Sequence, residues 1–196
     1  MSKWVIDKQF SFCYGHRVWS QKLHEEFCET GDTQCKCRHL HGHEGLVHVF
    51  LEGETLERGM VTDFKHLGWL KNVLDDNLDH RFVIDQHDPM FGQLVEGTWR
   101  SLSTDPIKFK EVYIKGSTHP PILIGREVDL SSIEDLATTP DYEVLAGYFI
   151  VDFVPTSENF SRWLYNLIQQ KMISIGVRVS QVDWFETPKS RSSYRG

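Results

Sequence analysis

No apolar run in this sequence approaches the roughly 20 residues that a membrane-spanning helix needs. The first residues, Met1-Ser2-Lys3-Trp4-Val5-Ile6-Asp7, lack the long apolar core of a signal peptide. A cytoplasmic protein without membrane contact is therefore expected. Positive charge is also in short supply. Lys and Arg number 21 against 28 Asp and Glu, a net charge of −7, which argues against a general nucleic-acid binder but leaves a local basic pocket for an anionic substrate open. Cysteine is sparse, with four residues in 196, all of them at or before position 37. Disulfide frameworks belong to small secreted domains, so none is expected. There is no internal repeat and no low-complexity segment. The hydrophobic and charged fractions, 40% and 25%, are those of a soluble globular protein, and the length suits one domain.

What is present concentrates in one stretch, Cys35-Lys36-Cys37-Arg38-His39-Leu40-His41-Gly42-His43. The alternating run Leu46-Val47-His48-Val49-Phe50-Leu51 follows at once and reads as a strand. If that strand begins near His41, His41 and His43 share a face, about 6.6 Å apart along the backbone. Two imidazoles so placed can ligate one metal, and a catalytic zinc would need a third protein ligand and an open position. The plain alternative is that His-x-His merely lines a strand. A structural zinc site built on Cys28, Cys35 and Cys37 is a further option, although a paired C-x2-C knuckle is missing.

Trp4 to His16 reads as a first strand, with Phe10, Phe12 and Tyr14 on its core face and His16 at its end on the same side. That histidine suits either a buried, hydrogen-bonded role or the third ligand position. Residues 21–34 are polar and read as a loop. The second strand is expected to reach Gly53, and Met60-Val61-Thr62 to form a short return strand. Asp63 is a good N-cap for a helix whose apolar face holds Phe64, Leu67, Leu70, Leu74 and Leu78. Asp79-His80 follows directly, either as an acid/base pair or as an ordinary polar helix end.

Asp88-Pro89-Met90-Phe91 opens a short helical segment. Between Trp99 and Leu145 the pattern weakens, with a strand at Val112-Tyr113-Ile114 and a capped short helix from Ser131. Gly147 to Val154 reads as a buried strand. Thr156 or Ser157 then caps a second helix with Glu158 in its first turn, and capping alone would account for all three. Val177 to Phe185 is a last strand, followed by Glu186-Thr187-Pro188 and a basic, Ser-rich tail. The order of elements predicts an α+β domain with an antiparallel sheet.

With these pieces in order, the sequence resembles the 6-pyruvoyl-tetrahydropterin synthase / 6-carboxytetrahydropterin synthase family. The resemblance rests on Phe10 to Arg17, Cys37 to His43, Thr62-Asp63-Phe64, Leu78 to Phe82, Pro155 to Asn159 and Glu186-Thr187-Pro188. It implies the tunnelling fold: a four-stranded antiparallel sheet with two helices on one face, joined between subunits into a barrel. The partner would be other copies of the same protein, in a hexamer or tetramer, with active sites at subunit interfaces. The stretch from about 99 to 145 would be an insertion into the single domain 1–196, and Cys35 is an addition to the family pattern.

Carried over, His16, His41 and His43 match the ligands of Zn²⁺, Cys37 the catalytic cysteine, and Asp79 and His80 the acid/base pair. Glu186, Thr156, Ser157 and Glu158 match the positions that hold the pterin. Lys36, Arg17 and Arg195 are candidates for a triphosphate. The implied activity is that of a lyase on 7,8-dihydroneopterin triphosphate. The three residues between Cys37 and His41 match the spacing of the carboxy-forming branch, which makes 6-carboxytetrahydropterin for queuosine-type 7-deazaguanines. The pyruvoyl-forming branch is the alternative, and a non-catalytic zinc module using Cys35 and Cys37 is the alternative of another class.

Overall fold

The computed structural model describes residues 3–28, 33–116 and 120–196. Residues 29–32 of the polar loop and His119, the one histidine between Trp99 and Leu145, lie outside the described residues.

Two long strands form the frame. β1 (Trp4–His16) and β2 (His41–Gly53) pair antiparallel along their whole length, from Trp4↔Gly53 to His16↔His41. Alternation explains both strands: Phe10, Phe12, Tyr14, Val47, Val49 and Leu51 are buried, and the residues between them are mostly exposed or half-buried. β7 (Arg178–Thr187) adds antiparallel to β2, and β8 (Ser190–Tyr194) adds antiparallel to β7.

On the other side of β1, β3 (Arg81–Asp85) and β6 (Tyr148–Val151) run parallel. β5 (Leu123–Val128) and β4 (Phe109–Tyr113) complete the sheet antiparallel, in the order β4-β5-β6-β3-β1-β2-β7-β8. The α+β class stands, but the expected four-stranded antiparallel sheet is corrected to a mixed sheet of eight strands. β3 is short and wholly apolar at Phe82-Val83-Ile84, because a parallel strand covered on both faces shows no alternation.

Two helices cover one face of the sheet. α1 (Gly68–Asn77) follows a 3₁₀ turn at Phe64–Leu67, and α4 (Ser157–Met172) follows β6. Asp63 caps the 3₁₀ turn that leads into α1, accepting from the Lys65 amide at 2.8 Å, and Thr156 caps α4, accepting from the Asn159 amide at 3.2 Å. Leu67, Leu70, Leu74, Phe160, Leu164 and Ile168 pack onto the inner side chains of β1, β2 and β7. Phe160 stacks on Trp184 with ring centres 4.2 Å apart. Phe64, expected on this face, is 48% exposed, because the tighter 3₁₀ turn puts it out of phase with the α-helix that follows.

Part of the opposite face, over β3, β5 and β6, is covered as well, so the expectation of helices on one face is corrected. Val83 and Phe149 point into the first core while Ile84, Tyr148 and Ile150 point into a second. α2 (Gly97–Leu102), which continues a π-helical turn at Gly92–Glu96, and α3 (Pro140–Ala146) close this second core with Trp99, Val128, Ile133 and Leu145. The stretch from 99 to 145 thus extends the sheet and builds a core. The return strand expected at 60–62 is reduced to one bridge between Glu57 and Met60. The tail forms β8, a polar edge strand without an apolar signal.

Replacing Phe160, which is fully buried, by Ala should cost about 3–5 kcal/mol of stability, read as a lower urea midpoint.

Candidate metal centre and pocket

The register of β1 and β2 brings three imidazoles together. His16 is directly opposite His41, and His43 lies one step along the same face, opposite Tyr14. The ligating nitrogens of His16, His41 and His43 all lie within 4.8 Å of one another. The Tyr14 ring lies beside His16 and His43, and its hydroxyl accepts a hydrogen bond from Trp184 Nε1 at 3.0 Å. Burial above all raises the Tyr14 pKa, so the hydroxyl stays neutral.

Two backbone carbonyls orient the rings. His16 Nδ1 donates to the Pro155 carbonyl at 2.6 Å, and His41 Nδ1 donates to the His39 carbonyl at 2.8 Å. A proton held on Nδ1 leaves the Nε2 lone pair free as a ligand. The Nε2 atoms of His16 and His43 are buried and have no hydrogen-bond partner. Two buried, orphaned lone pairs aimed into one cluster fit a cation. Burial lowers the His16 pKa to about 3, opposed by the Pro155 carbonyl and reinforced by His41 and His43. Burial and then His41 lower that of His43. The His16 and His43 rings are therefore neutral near pH 7, the form a metal requires.

A cavity of about 360 Å³ opens beside the cluster, lined by His16, Val18, Cys37, His41, Ser157 and Glu186 among others. Thr156 and Glu158 also line it. Glu186 Oε1 lies 3.9 Å from His16 Nε2. Burial raises the Glu186 pKa, the Glu158 charge adds to the shift, and His41 opposes it. The Thr156 hydroxyl is committed to capping α4, whereas Ser157 donates to Glu158 at 3.3 Å.

Cys37 sits in a 3₁₀ turn (Lys36–Arg38) whose carbonyl at Cys37 accepts from the Val18 amide at 2.8 Å. Its pKa is raised by burial first, then by the neighbouring Cys35 thiol and the Glu186 charge. Neither cysteine belongs to the three-histidine cluster, so the closed-shell site with Cys35 and Cys37 as ligands finds no support among the described residues.

Asp79 and His80 form the expected pair but do not line this cavity. Asp79 Oδ1 accepts from the Cys13 amide at 2.7 Å, and its Oδ2 lies 3.0 Å from His80 Nδ1. The Cys13 amide holds the Asp79 pKa below the usual carboxylate range, and His80 helps. The His80 amide donates to the Cys13 carbonyl at 2.7 Å, and the side chain is 82% exposed. Of the triphosphate candidates, Arg17 is buried, with its Nε 3.1 Å from Asp88 Oδ2, and does not line the cavity. Arg195 donates to Gln181 at 2.8 Å and is absent from the cavity lining, and Lys36 is exposed beside Cys37. The Pro155 and His39 carbonyls and the Val18 amide escaped sequence reasoning, because backbone groups leave no trace in residue identity.

The family model described as 6-pyruvoyl tetrahydropterin synthase matches residues 5–196. The 6-carboxy-5,6,7,8-tetrahydropterin synthase of Aquifex aeolicus is 29% identical over 202 residues, covering 98% of each protein. The crystal structure of an uncharacterized protein from Wolinella succinogenes superposes with a TM-score of 0.82 at 41% identity, covering 100% of this protein and 99% of that one. The 6-pyruvoyl tetrahydropterin synthase of Caenorhabditis elegans shares the fold at 21% identity, with a TM-score of 0.51 over 100% of this protein and 97% of that one. No helix among the described residues is long and apolar enough to cross a membrane. With residues 5–196 matched by its model, the protein belongs to the 6-pyruvoyl tetrahydropterin synthase family.

Proposed function

We propose that this protein is a zinc-dependent lyase. It takes 7,8-dihydroneopterin triphosphate and water to 6-carboxytetrahydropterin, acetaldehyde and triphosphate, as a step toward queuosine-type 7-deazaguanines. The carrying observation is the cluster of His16, His41 and His43, with orphaned, buried Nε2 atoms on His16 and His43, beside a cavity that His16 and His41 line together with Cys37 and Glu186. The full-length similarity to a relative named 6-carboxy-5,6,7,8-tetrahydropterin synthase supports the same reading.

His16, His41 and His43 would hold the zinc, with the Nδ1 protons of His16 and His41 fixed on backbone carbonyls. Zinc held there would supply Lewis-acid polarisation of the substrate side chain and would favour the thiolate of Cys37. Glu186 anchors the pterin by accepting from its 2-amino group and N3–H, and these bonds offset the burial that raises its pKa. Ser157 and Glu158 border the ring, and Thr156 holds the helix that presents them. Cys37 removes a proton from the substrate side chain. Asp79 and His80 lie outside this cavity, just before β3, with Asp79 half-buried and His80 exposed, which supports their serving the pocket of a neighbouring copy in a homo-oligomer.

Three outcomes test the reading. Alanine at His16, His41 or His43 should strip the metal, measured as zinc per protomer by atomic emission, and abolish turnover; zinc retained in all three variants would refute the ligand set. Cys37→Ala should lose at least about 100-fold in kcat, the scale of a lost general base, while Cys35→Ala stays close to the parent, in a steady-state assay. The reverse pattern would move the catalytic role to Cys35. Incubation with 7,8-dihydroneopterin triphosphate should release acetaldehyde, trapped as its hydrazone, because only the carboxy-forming reaction breaks a carbon–carbon bond of the substrate. Triphosphate release with a pyruvoyl pterin and no acetaldehyde would assign the other branch.

A further inference from the structure

The segment between β1 and the polar loop is held by two buried carboxylates, one through a hydrogen bond and one through an ion pair. Asp85, at the end of β3, accepts from the His87 amide with Oδ1 at 2.9 Å and from Trp19 Nε1 with Oδ2 at 2.9 Å. Asp88 accepts from the Met90 amide with Oδ1 at 2.8 Å, and its Oδ2 lies 3.1 Å from Arg17 Nε in a buried ion pair that is not aligned as a hydrogen bond. Each carboxylate thus stiffens its own turn with one oxygen and reaches across to residue 17 or 19 with the other. Asp85, Asp88 and Arg17 are 2%, 4% and 6% exposed, so these contacts operate at low dielectric, where they are strong and costly to break.

Between the two gripped residues sits Val18. Its amide donates to the Cys37 carbonyl at 2.8 Å, and its side chain lines the same cavity as the Cys37 thiol. A second tie follows the first: the Gln21 amide donates to the Val18 carbonyl at 3.1 Å, and Arg38 Nη1 donates to the Gln21 carbonyl at 3.4 Å. The short turn that carries Cys37 has no buried side chain of its own. Its position is therefore set from outside, by a segment that is itself pinned to the turn after β3.

We propose that Asp85 and Asp88, acting through Arg17, Val18 and Trp19, are positioning residues for the Cys37 thiol. The inference rests on the reading of Cys37 as the reacting thiol. It assigns the buried Arg17–Asp88 pair to holding the reacting group in register with the histidine cluster. A displacement of a reacting group by about 1 Å costs on the order of 100-fold in rate, so a looser tie lowers turnover without touching ligands or substrate contacts.

The test uses Trp19→Phe, which removes one indole donor, and Asp88→Asn, which removes the charge. Both are made in the full-length protein with Cys13, Cys28 and Cys35 changed to Ser, so that Cys37 is the only thiol. Expected are zinc content and KM at parent values, a kcat about tenfold lower, and a Cys37 iodoacetamide alkylation rate raised several-fold by mass spectrometry. Parent-like kcat and alkylation with only a lower melting temperature would make the carboxylates merely structural and overturn the proposal. Zinc loss from folded Trp19→Phe would also overturn it, since the tie would then serve the metal ligands. If Asp88→Asn fails to fold, Trp19→Phe decides alone. If the parent converts no pterin while Trp19→Phe still alters alkylation, the positioning role stands and the assigned reaction falls.

Discussion

The pairing register of β1 with β2 is the constraint on which the rest depends. Side chains alternate across a strand, so a slip of one residue would send every inward group to the other face. Here a slip would separate His16 from His41 and His43, and would also turn Phe10, Phe12, Val47 and Val49 out of the core. The same register therefore satisfies the apolar core and the histidine cluster together. The core enforces the register with far more free energy than three imidazoles could supply, since each fully buried apolar side chain contributes about 1.5–3 kcal/mol. The site inherits its precision from packing.

Once the register is set, the helices finish the site. α4 docks Phe160 on Trp184, and Trp184 donates to Tyr14 beneath the histidines. The residues that lead into α4 supply the Pro155 carbonyl to His16 and line the cavity with Thr156, Ser157 and Glu158. Carbonyls behind a ligand ring fix its tautomer and direction before any metal arrives. Burial lowers the His16 pKa to about 3 for the same reason that it makes an unpaired Nε2 unfavourable there.

Much of this was legible in the residues. The alternation marked the first long strand from Trp4 to His16 and the second from near His41 to about Gly53. The helix caps at Asp63 and Thr156 were legible as well, because capping is local chemistry written in single side chains. What escaped was set by distant partners. β3 is short, apolar and parallel, a pattern that periodicity cannot separate from any buried segment, and although β6 was legible as a buried strand its parallel pairing with β3 was not. β8 has almost no apolar residue and owes its strand conformation to the free edge of β7. Arg17 reads as an anion binder in the sequence because nothing there shows Asp88 across from it. The second core was likewise hidden, since Trp99, Val128 and Leu145 converge only when the sheet is complete.

The exposed Asp79–His80 pair shows the opposite economy. His80 has a positive φ of 57°, a conformation that costs an ordinary residue roughly 1–2 kcal/mol. The Cys13 amide and carbonyl clamp both residues, one donating to Asp79 and the other accepting from His80, so the strained geometry is over-determined by the backbone of β1. Strain maintained this way usually accompanies function, yet the imidazole projects outward and has no role in the cavity of its own protomer. On the proposed function, a pocket divided between copies would reconcile the two facts. β1 would then carry a metal ligand for one pocket at His16 and, three residues earlier, the backbone mount of the Asp79–His80 pair for another. One strand would thus set both halves of the site, and assembly would bring them together.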